Sequence, residues 1–312
     1  GFHGDNITKK SDKMPWYKGF EYTYGAKSKK GVCVGKKSMG TVKGHTLFDA
    51  LNDYVLPPLR TEGRPFRMPV SGVYNISGVG TVITGRVEQG TLVPNTIVKN
   101  LPKPTPVTFW PSNIQGLVNT IEMHHKNLEQ ANTGDNVGIA VKGLSKDNMP
   151  KVGDVMALSS DDTIGAVKTF TAEVKVQDWI SDKTKLSASG LDETEKEGKK
   201  VKGKKGYTPL VLVRTAKAPC QMTTIHWKLS PAQLKTIKKK KDLVTLKENS
   251  IAEGPHKFVQ RKDFTSVEFM PTMPFCLESF SACEGLGRVA VLESNNLVML
   301  GKVTAVTYKI NE

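Results

Sequence analysis

The side chains best suited to chemistry are few in this sequence, and their spacing does not form a reaction centre. Cys33, Cys220, Cys276 and Cys283 include no C-x-x-C pair, so neither a zinc ribbon nor a redox dithiol is encoded, and reduced thiols are the expectation. The adjacent His124 and His125 would point to opposite faces of a strand, a poor arrangement for gripping one ion. The segment GVCVGKKS at 31–38 comes nearest to a phosphate-binding loop. Such a loop needs four residues between its glycines and a Ser or Thr after the lysine, so that amides cradle phosphate while a hydroxyl reaches Mg²⁺. Here three residues separate Gly31 from Gly35, and Lys37 stands in the hydroxyl position. Zinc-protease, nucleophile-elbow and kinase signatures are missing as well. The sequence therefore predicts a binding surface with no catalytic residue.

Charge says what that surface binds. The chain has 45 Lys and Arg against 30 Asp and Glu, a formal net charge of +15. Between Lys183 and Lys262 stand twenty basic and seven acidic residues, thirteen of those fifteen net charges. A concentrated positive field attracts a polyanion and releases its counterions. Much of the charge lies in two clusters, GKKVKGKK at 198–205 and KTIKKKK at 235–241. They hold no arginine and no interleaved aromatics, so they suit phosphate backbone better than base edges.

These residues must be positioned by elements that the sequence pattern indicates. A length of 312 residues predicts about two domains. No apolar run approaches the length needed to span a bilayer, and the start GFHGDN has no signal-peptide character. A cytoplasmic protein is the expectation, and the absence of an initial Met in a polar stretch suggests lost upstream sequence. The lysine- and glycine-rich stretch 20–44 reads as a surface insertion. HTLFDALNDYVL at 45–56 has Leu47, Phe48, Leu51 and Val55 on one helical face before Pro57-Pro58. From Arg67 onward, short runs rich in Val, Ile, Thr and Tyr alternate with Gly, Pro and Asx turns. The first series ends at DVMALS; the second runs from AVKTFTAEVKVQDW to NLVMLGKVTAVTY, includes FCLESF, and shows no long helix. The pattern predicts an all-β protein of two tandem closed β-barrels, a topology that leaves no open edge. The polar tract 181–206 reads as a disordered extension with mobile lysines. In the glycine-rich run VSGVYNISGVGTVITGRVEQG, Gly78, Gly80, Gly85 and Gly90 mark bulges, tight bends or the close approach of a ligand.

Several segments resemble the translation elongation factor 1-alpha family: GFHGDNITKKSDKMPWYKG at the start, the glycine-rich run, NTIEMHHKNLEQANTGDNVGIAVKGL, GYTPLVLVRT at 206–215 and EGLGRVAVLESNNLVMLGKV at 284–303. In KSDKMPW, GRVEQG, IEMHH, KGLSKDNMPKVGDVM and CEGL the chain is closest to that family's divergent elongation-factor-like branch. The resemblance covers nearly the whole chain except 20–44, 101–112, 181–205 and 230–245. It implies a remnant of an α/β GTP-binding domain at 1–60, a first barrel at 61–162 and a second at 163–312, with insertions near 181–205 and 230–245. By the same resemblance GTP and Mg²⁺ belong to a domain absent from this chain. The implied partners are aminoacyl-tRNA, the ribosome and a nucleotide exchange factor, with no membrane partner, and the implied activity is GTP-dependent delivery of aminoacyl-tRNA to the ribosomal A site.

Carried over by position, the family's pocket for the aminoacylated adenosine becomes Tyr74, Thr81, Glu122, His125 and Asn136. Ser71 and Gly72 stand where an acidic pair is found in bacterial members, which removes two carboxylates. On the second barrel Arg214, Lys217, Lys228, Arg288 and Lys302 are the implied contacts to the tRNA backbone, with Leu292 in place of a family arginine. Two other readings remain open: a release- or rescue-factor relative with the same two-barrel body, and a noncatalytic RNA or cytoskeletal scaffold.

Overall fold

The structure is a computed structural model that describes residues 5–23, 41–55, 63–98, 101–145, 147–177, 186–188, 206–237, 239–254 and 256–309. Cys33, the GVCVGKKS segment, Pro57-Pro58, the lysine cluster 198–205 and Lys238 lie outside the described residues. The chain divides into two compact units, Gly1–Thr61 and Glu62–Glu312.

In the first unit the two ends of the segment 20–44, read from the sequence as a surface insertion, are strands. β1 (Phe20–Thr23) and β2 (Thr41–Gly44) pair antiparallel from Phe20↔Gly44 to Thr23↔Thr41. A helical turn α1 (Leu47–Asp49) follows, continued by a π-helical segment Ala50–Tyr54. Thr46 and Asp49 start it with a reciprocal capping box: the Asp49 amide donates to Thr46 Oγ1 and the Thr46 amide to Asp49 Oδ2. The apolar face expected at Leu47, Phe48, Leu51 and Val55 is present and exposed.

The second unit holds both barrels. In order along the first are β3 (Met68–Ile76), β4 (Gly80–Arg86), β5 (Thr91–Leu92), β6 (Asn95–Val98), β7 (Leu101–Pro104), β8 (Pro106–Trp110), β9 (Ile114–Met123), β10 (Lys126–Asn127), β11 (Ala131–Asn132), β12 (Asn136–Lys142) and β13 (Val155–Leu158). Six of them close a ring in the order β9-β12-β4-β3-β13-β8, with β8 returning to β9 and β10 appended. Strand alternation sends Val70, Ile83, Val118, Ile121, Val137, Ile139 and Met156 into one core. Gly78 makes the turn between β3 and β4 at a φ of 81°, open to glycine without steric cost.

The second barrel comprises β14 (Val167–Val176), β15 (Leu186–Ser187), β16 (Leu210–Val213), β17 (Ala216–Leu229), β18 (Phe258–Val259), β19 (Phe264–Pro271), β20 (Arg288–Glu293) and β21 (Asn296–Tyr308). Its closed ring is β14-β19-β17-β16-β20-β21, around Phe170, Met222, Phe269, Val291 and Met299. The fold is thus two closed six-stranded antiparallel barrels preceded by a short mixed α/β unit.

The barrels share a wall. On β13, Met156 packs into the first core while Val155 and Ala157 belong to the second, because successive side chains face opposite sides. Gly153, at φ 102°, lets the chain pass the Thr215–Ala216 backbone, where an added Cβ would lie 3.1 Å from Ala216 Cα.

Three local expectations differ from what is observed. FCLESF is not a strand; Phe275, Cys276 and Leu277 are buried in irregular backbone that bonds to β21 and its neighbours. Part of the tract read as disordered is ordered, since β15 pairs with β18 at Leu186↔Val259 and Ser187↔Phe258. The insertion near 230–245 is helical: α2 (Pro231–Thr236) leads to α3 (Lys240–Ala252), a helix of 13 residues in a domain expected to have none so long.

Candidate nucleic-acid interface

On the first barrel the register decides which of the expected residues meet. One rung runs Gly72↔Thr84↔Gly138↔Glu122 across β3, β4, β12 and β9. Asn136 pairs with Arg86 two residues along, and Tyr74 pairs with Val82 on the other side. Because side chains alternate, Tyr74, Glu122 and Asn136 all lie on the outer face, opposite buried Ile83, Ile121 and Ile139. Glu122 and Asn136 are diagonal neighbours on adjacent strands, a separation of about 7–8 Å. Thr81 has the parity of Ile83, pairs with Asn75 and Val141, and is half-buried at the end of β4, away from that face.

His125 sits elsewhere again. Met123↔Lys126 closes a two-residue hairpin whose loop is His124-His125, at φ of 50° and 60°. Two successive left-handed residues are the requirement of a type I′ turn. The two imidazoles therefore project from a turn, not from alternate faces of a strand, and the strand argument about them does not apply.

A depression of about 340 Å³ opens on this face, lined by Ser71, Thr84, Gly85, Arg86, Asn136 and Val137. Ser71 reaches its rim because the β3–β4 register shifts between Val70 and Gly72, leaving Ser71 as the extra residue of a bulge. The depression thus offers two hydroxyls, a carboxamide and a guanidinium, with no carboxylate in its lining. Thr84 and Arg86 were legible in principle, as they follow Val82 at intervals of two. The bulge that brings in Ser71 is a long-range pairing irregularity with no local signal.

The basic candidates on the second barrel fall into separate settings. Arg288 and Lys302 are directly opposite on β20 and β21, and both lie over the Phe280 ring, at 5.2 and 4.2 Å from its centroid. Arg288 also pairs with Glu284. Lys217 is an exposed residue of β17 opposite Leu212. Lys228 is turned to internal use: its ammonium donates to the Phe258 carbonyl at 3.1 Å and lies 4.7 Å from that ring's centroid. Arg214 occupies the β16–β17 turn at φ 52° and its guanidinium is held by Glu88 of the first barrel.

A more deeply buried cluster was not foreseen. Arg67, fully buried, bonds Asp161 at 2.5 Å, Thr163 at 2.9 Å and Glu278 at 2.8 Å, joining the first barrel, the inter-barrel segment and the second barrel. Burial alone would lower the Arg67 pKa, but the hydrogen bonds and charges of Glu278 and Asp161 raise it. Burial likewise pulls Asp161 upward, and bonds from Thr163 and Arg67 outweigh it, so its carboxyl lies below the usual range. The only sequence signal was a charged residue opening an apolar strand run.

The described cysteines, Cys220, Cys276 and Cys283, are buried free thiols. Burial pushes the Cys220 thiol up to about 12 and that of Cys283 to about 11, keeping both protonated at neutral pH. Among the described residues no group of three or more His, Cys, Asp or Glu is placed to hold a metal ion. No described helix is long and apolar enough to cross a membrane.

Comparison with known proteins agrees with this architecture. Residues 80–157 match the model of elongation factor Tu domain 2, and residues 198–304 that of the GTP-eEF1A C-terminal domain-like family. Two Xenopus laevis sequences, each described as elongation factor 1-alpha, oocyte form, are 32% identical over 309 and 310 residues. Each alignment covers 99% of this chain and 54% of the relative, so the chain spans about half the length of the curated relatives it matches. The solved structure of sup35 complexed with GDP superposes with a TM-score of 0.58 at 20% identity, covering 85% of this chain and 52% of that one, a likeness of fold. With one barrel matched by each model and relatives aligned along almost all of its length, the chain matches the barrel domains of the elongation factor 1-alpha/Tu family.

Proposed function

We propose that this chain is the tRNA-binding part of a GTP-dependent translation elongation factor, with the outer face of the first barrel receiving the aminoacylated 3′ end. The observation that supports it best is the convergence of Tyr74, Glu122 and Asn136 on one sheet face beside the depression at Ser71, Thr84 and Arg86. An exposed aromatic ring gives a base a stacking surface with little sequence preference. A carboxylate accepts from ribose hydroxyls, and a carboxamide both donates and accepts. The carboxylate-free depression suits the carbonyl and ester oxygens of an acyl group better than an ammonium. On the second barrel, Arg288 and Lys302 flanking Phe280 are the best-placed contacts to the nucleic-acid backbone.

GTP and Mg²⁺ belong, in this reading, to a separate domain. The described residues do not suit them, for they include neither a glycine-rich phosphate loop nor a metal-ligating cluster. The ribosome is the acceptor in the same reading. The test is titration of the 312-residue chain with a fluorescent acceptor-stem minihelix, charged and uncharged. Tighter binding of the charged form, lost on replacing Tyr74 or Glu122, supports the proposal; equal binding of both forms refutes it.

A further inference from the structure

The described residues of the second lysine cluster stand on two capped helices. Ser230 and Gln233 cap α2 reciprocally, the Ser230 amide donating to Gln233 Oε1 at 2.8 Å, with Pro231 at the first helical position. The Lys239 amide donates to Asp242 Oδ2 at 2.8 Å at the start of α3. Farther along α3, Lys247 is clamped on the outer wall of the second barrel: its ammonium is 2.6 Å from Glu173 on β14, 4.5 Å from the Trp227 ring centroid and 5.5 Å from that of Phe264. Ser250 adds a second anchor, accepting from the Lys228 amide and donating to its carbonyl, both at 2.9 Å. These bonds join α3 to the barrel wall, and Lys235, Lys239 and Lys241 are exposed at the neighbouring ends of α2 and α3.

Beside α2 lies a cavity of about 350 Å³, lined by Lys175, Val176, Gln177, Pro231, Leu234 and Lys262. Lys175 is exposed at the end of β14, two residues beyond Glu173, and Lys235 directly follows Leu234 of the lining. The nearby carboxylates are engaged: Glu173 by Lys247, Asp242 as the cap, and buried Asp263 by the Gln260 amide at 2.8 Å.

We propose that this cavity and the α2–α3 corner form a second docking surface, which holds the phosphate backbone of RNA through Lys175, Lys235, Lys239 and Lys241. Ammonium groups without arginine forks or stacking rings suit repeated phosphates and discriminate little between sequences. Nothing in this surface depends on the aminoacyl-end face of the first barrel, and each can fail alone.

The experiment uses the 312-residue chain and a fluorescent RNA duplex of about 20 base pairs with blunt ends, titrated between about 50 and 200 mM salt. Replacing the four lysines with glutamine (K175Q, K235Q, K239Q, K241Q) is expected to lower the slope of log affinity against log salt by about 2–4. The comparison variant K9Q, K10Q, K13Q, K43Q removes the same charge from the first unit and is expected to lower it by less than about 1. Equal losses in the two variants, or no loss in the first, would overturn the proposal. So would an unchanged RNA slope accompanied by lost binding to phosphatidylserine vesicles, which assigns the surface to a membrane. The four-lysine variant should still prefer the charged minihelix, separating this surface from the first-barrel site.

Discussion

Tyr74 lies across Gly72. A Cβ added at Gly72 would fall 2.6 Å from Tyr74 Cε2 and 2.8 Å from its hydroxyl oxygen, with Thr84 Oγ1 also at 2.8 Å. The ring occupies the space that any other residue two positions earlier on β3 would claim. Position 72 and the pose of the aromatic ring are thus one structural choice.

Gly72→Ala should therefore displace the exposed ring and not unfold the barrel, lowering stability by no more than about 1 kcal/mol, because a surface side chain can swing into water. If the pose of Tyr74 serves binding, Gly72→Ala and Tyr74→Ala will each weaken charged-minihelix binding, and the double variant will be little worse than either. Fully additive losses in that double-mutant cycle would show that the two residues act separately.

Glu122 is exposed on the same face. Glu122→Ala is expected to weaken the charged minihelix by about 1.5–3 kcal/mol, the range for a hydrogen bond to a charged group, with the unfolding midpoint unchanged. A fallen midpoint with intact binding by the folded fraction would instead make Glu122 a barrel-edge residue.

Arg67 tests the inter-barrel joint. Arg67→Ala leaves Glu278 buried without its cation and should cost about 3–5 kcal/mol in denaturant unfolding, whereas Arg67→Met should cost less than Ala because it refills the volume. The pH dependence has a definite sign. Asp161 has a lowered pKa in the folded chain, so its contribution is complete above the unfolded carboxylate value of about 3.9 and is lost as pH falls through the folded value. Asp161→Asn should flatten that acid limb; an unchanged limb would show that other carboxyls control it.

Arg214 separates backbone from charge. At φ 52° a non-glycine residue is strained, so Arg214→Gly should retain more stability than Arg214→Ala, by about 1 kcal/mol, although both lose the bond to Glu88. Since that guanidinium is held between the barrels, duplex RNA binding should keep its salt slope in both variants. A slope reduced by about 1 would return Arg214 to the backbone contacts.

The alternation of Val, Ile and Thr with polar residues, punctuated by glycine and Asx turns, carried the two-barrel architecture in the amino-acid sequence alone. Alternation is a local consequence of strand geometry, so it is visible in one dimension. The capping box Ser230–Gln233 was equally local and could have announced α2. The placement of α3 could not be read from its own residues. Leu243 and Leu246 are half-buried, but Val244 and Ile251 are exposed, so the helix has no clear apolar stripe. It is held by Lys247 against Glu173, Trp227 and Phe264, partners that the chain supplies from three different strands.

The same division runs through the candidate site. Glu122 and Asn136 were identifiable by resemblance, and strand parity put them on one face. Only the closed register set them diagonally across adjacent strands, moved Thr81 to the other face, put His124-His125 in a turn, and exposed Ser71 through a bulge. Arg67 was one basic residue among many in the sequence, and Arg214 was read by resemblance as a contact to the tRNA backbone. Their carboxylate partners Glu278 and Glu88 are 211 and 126 residues away along the chain, and only the packing of one barrel on the other brings those charges together.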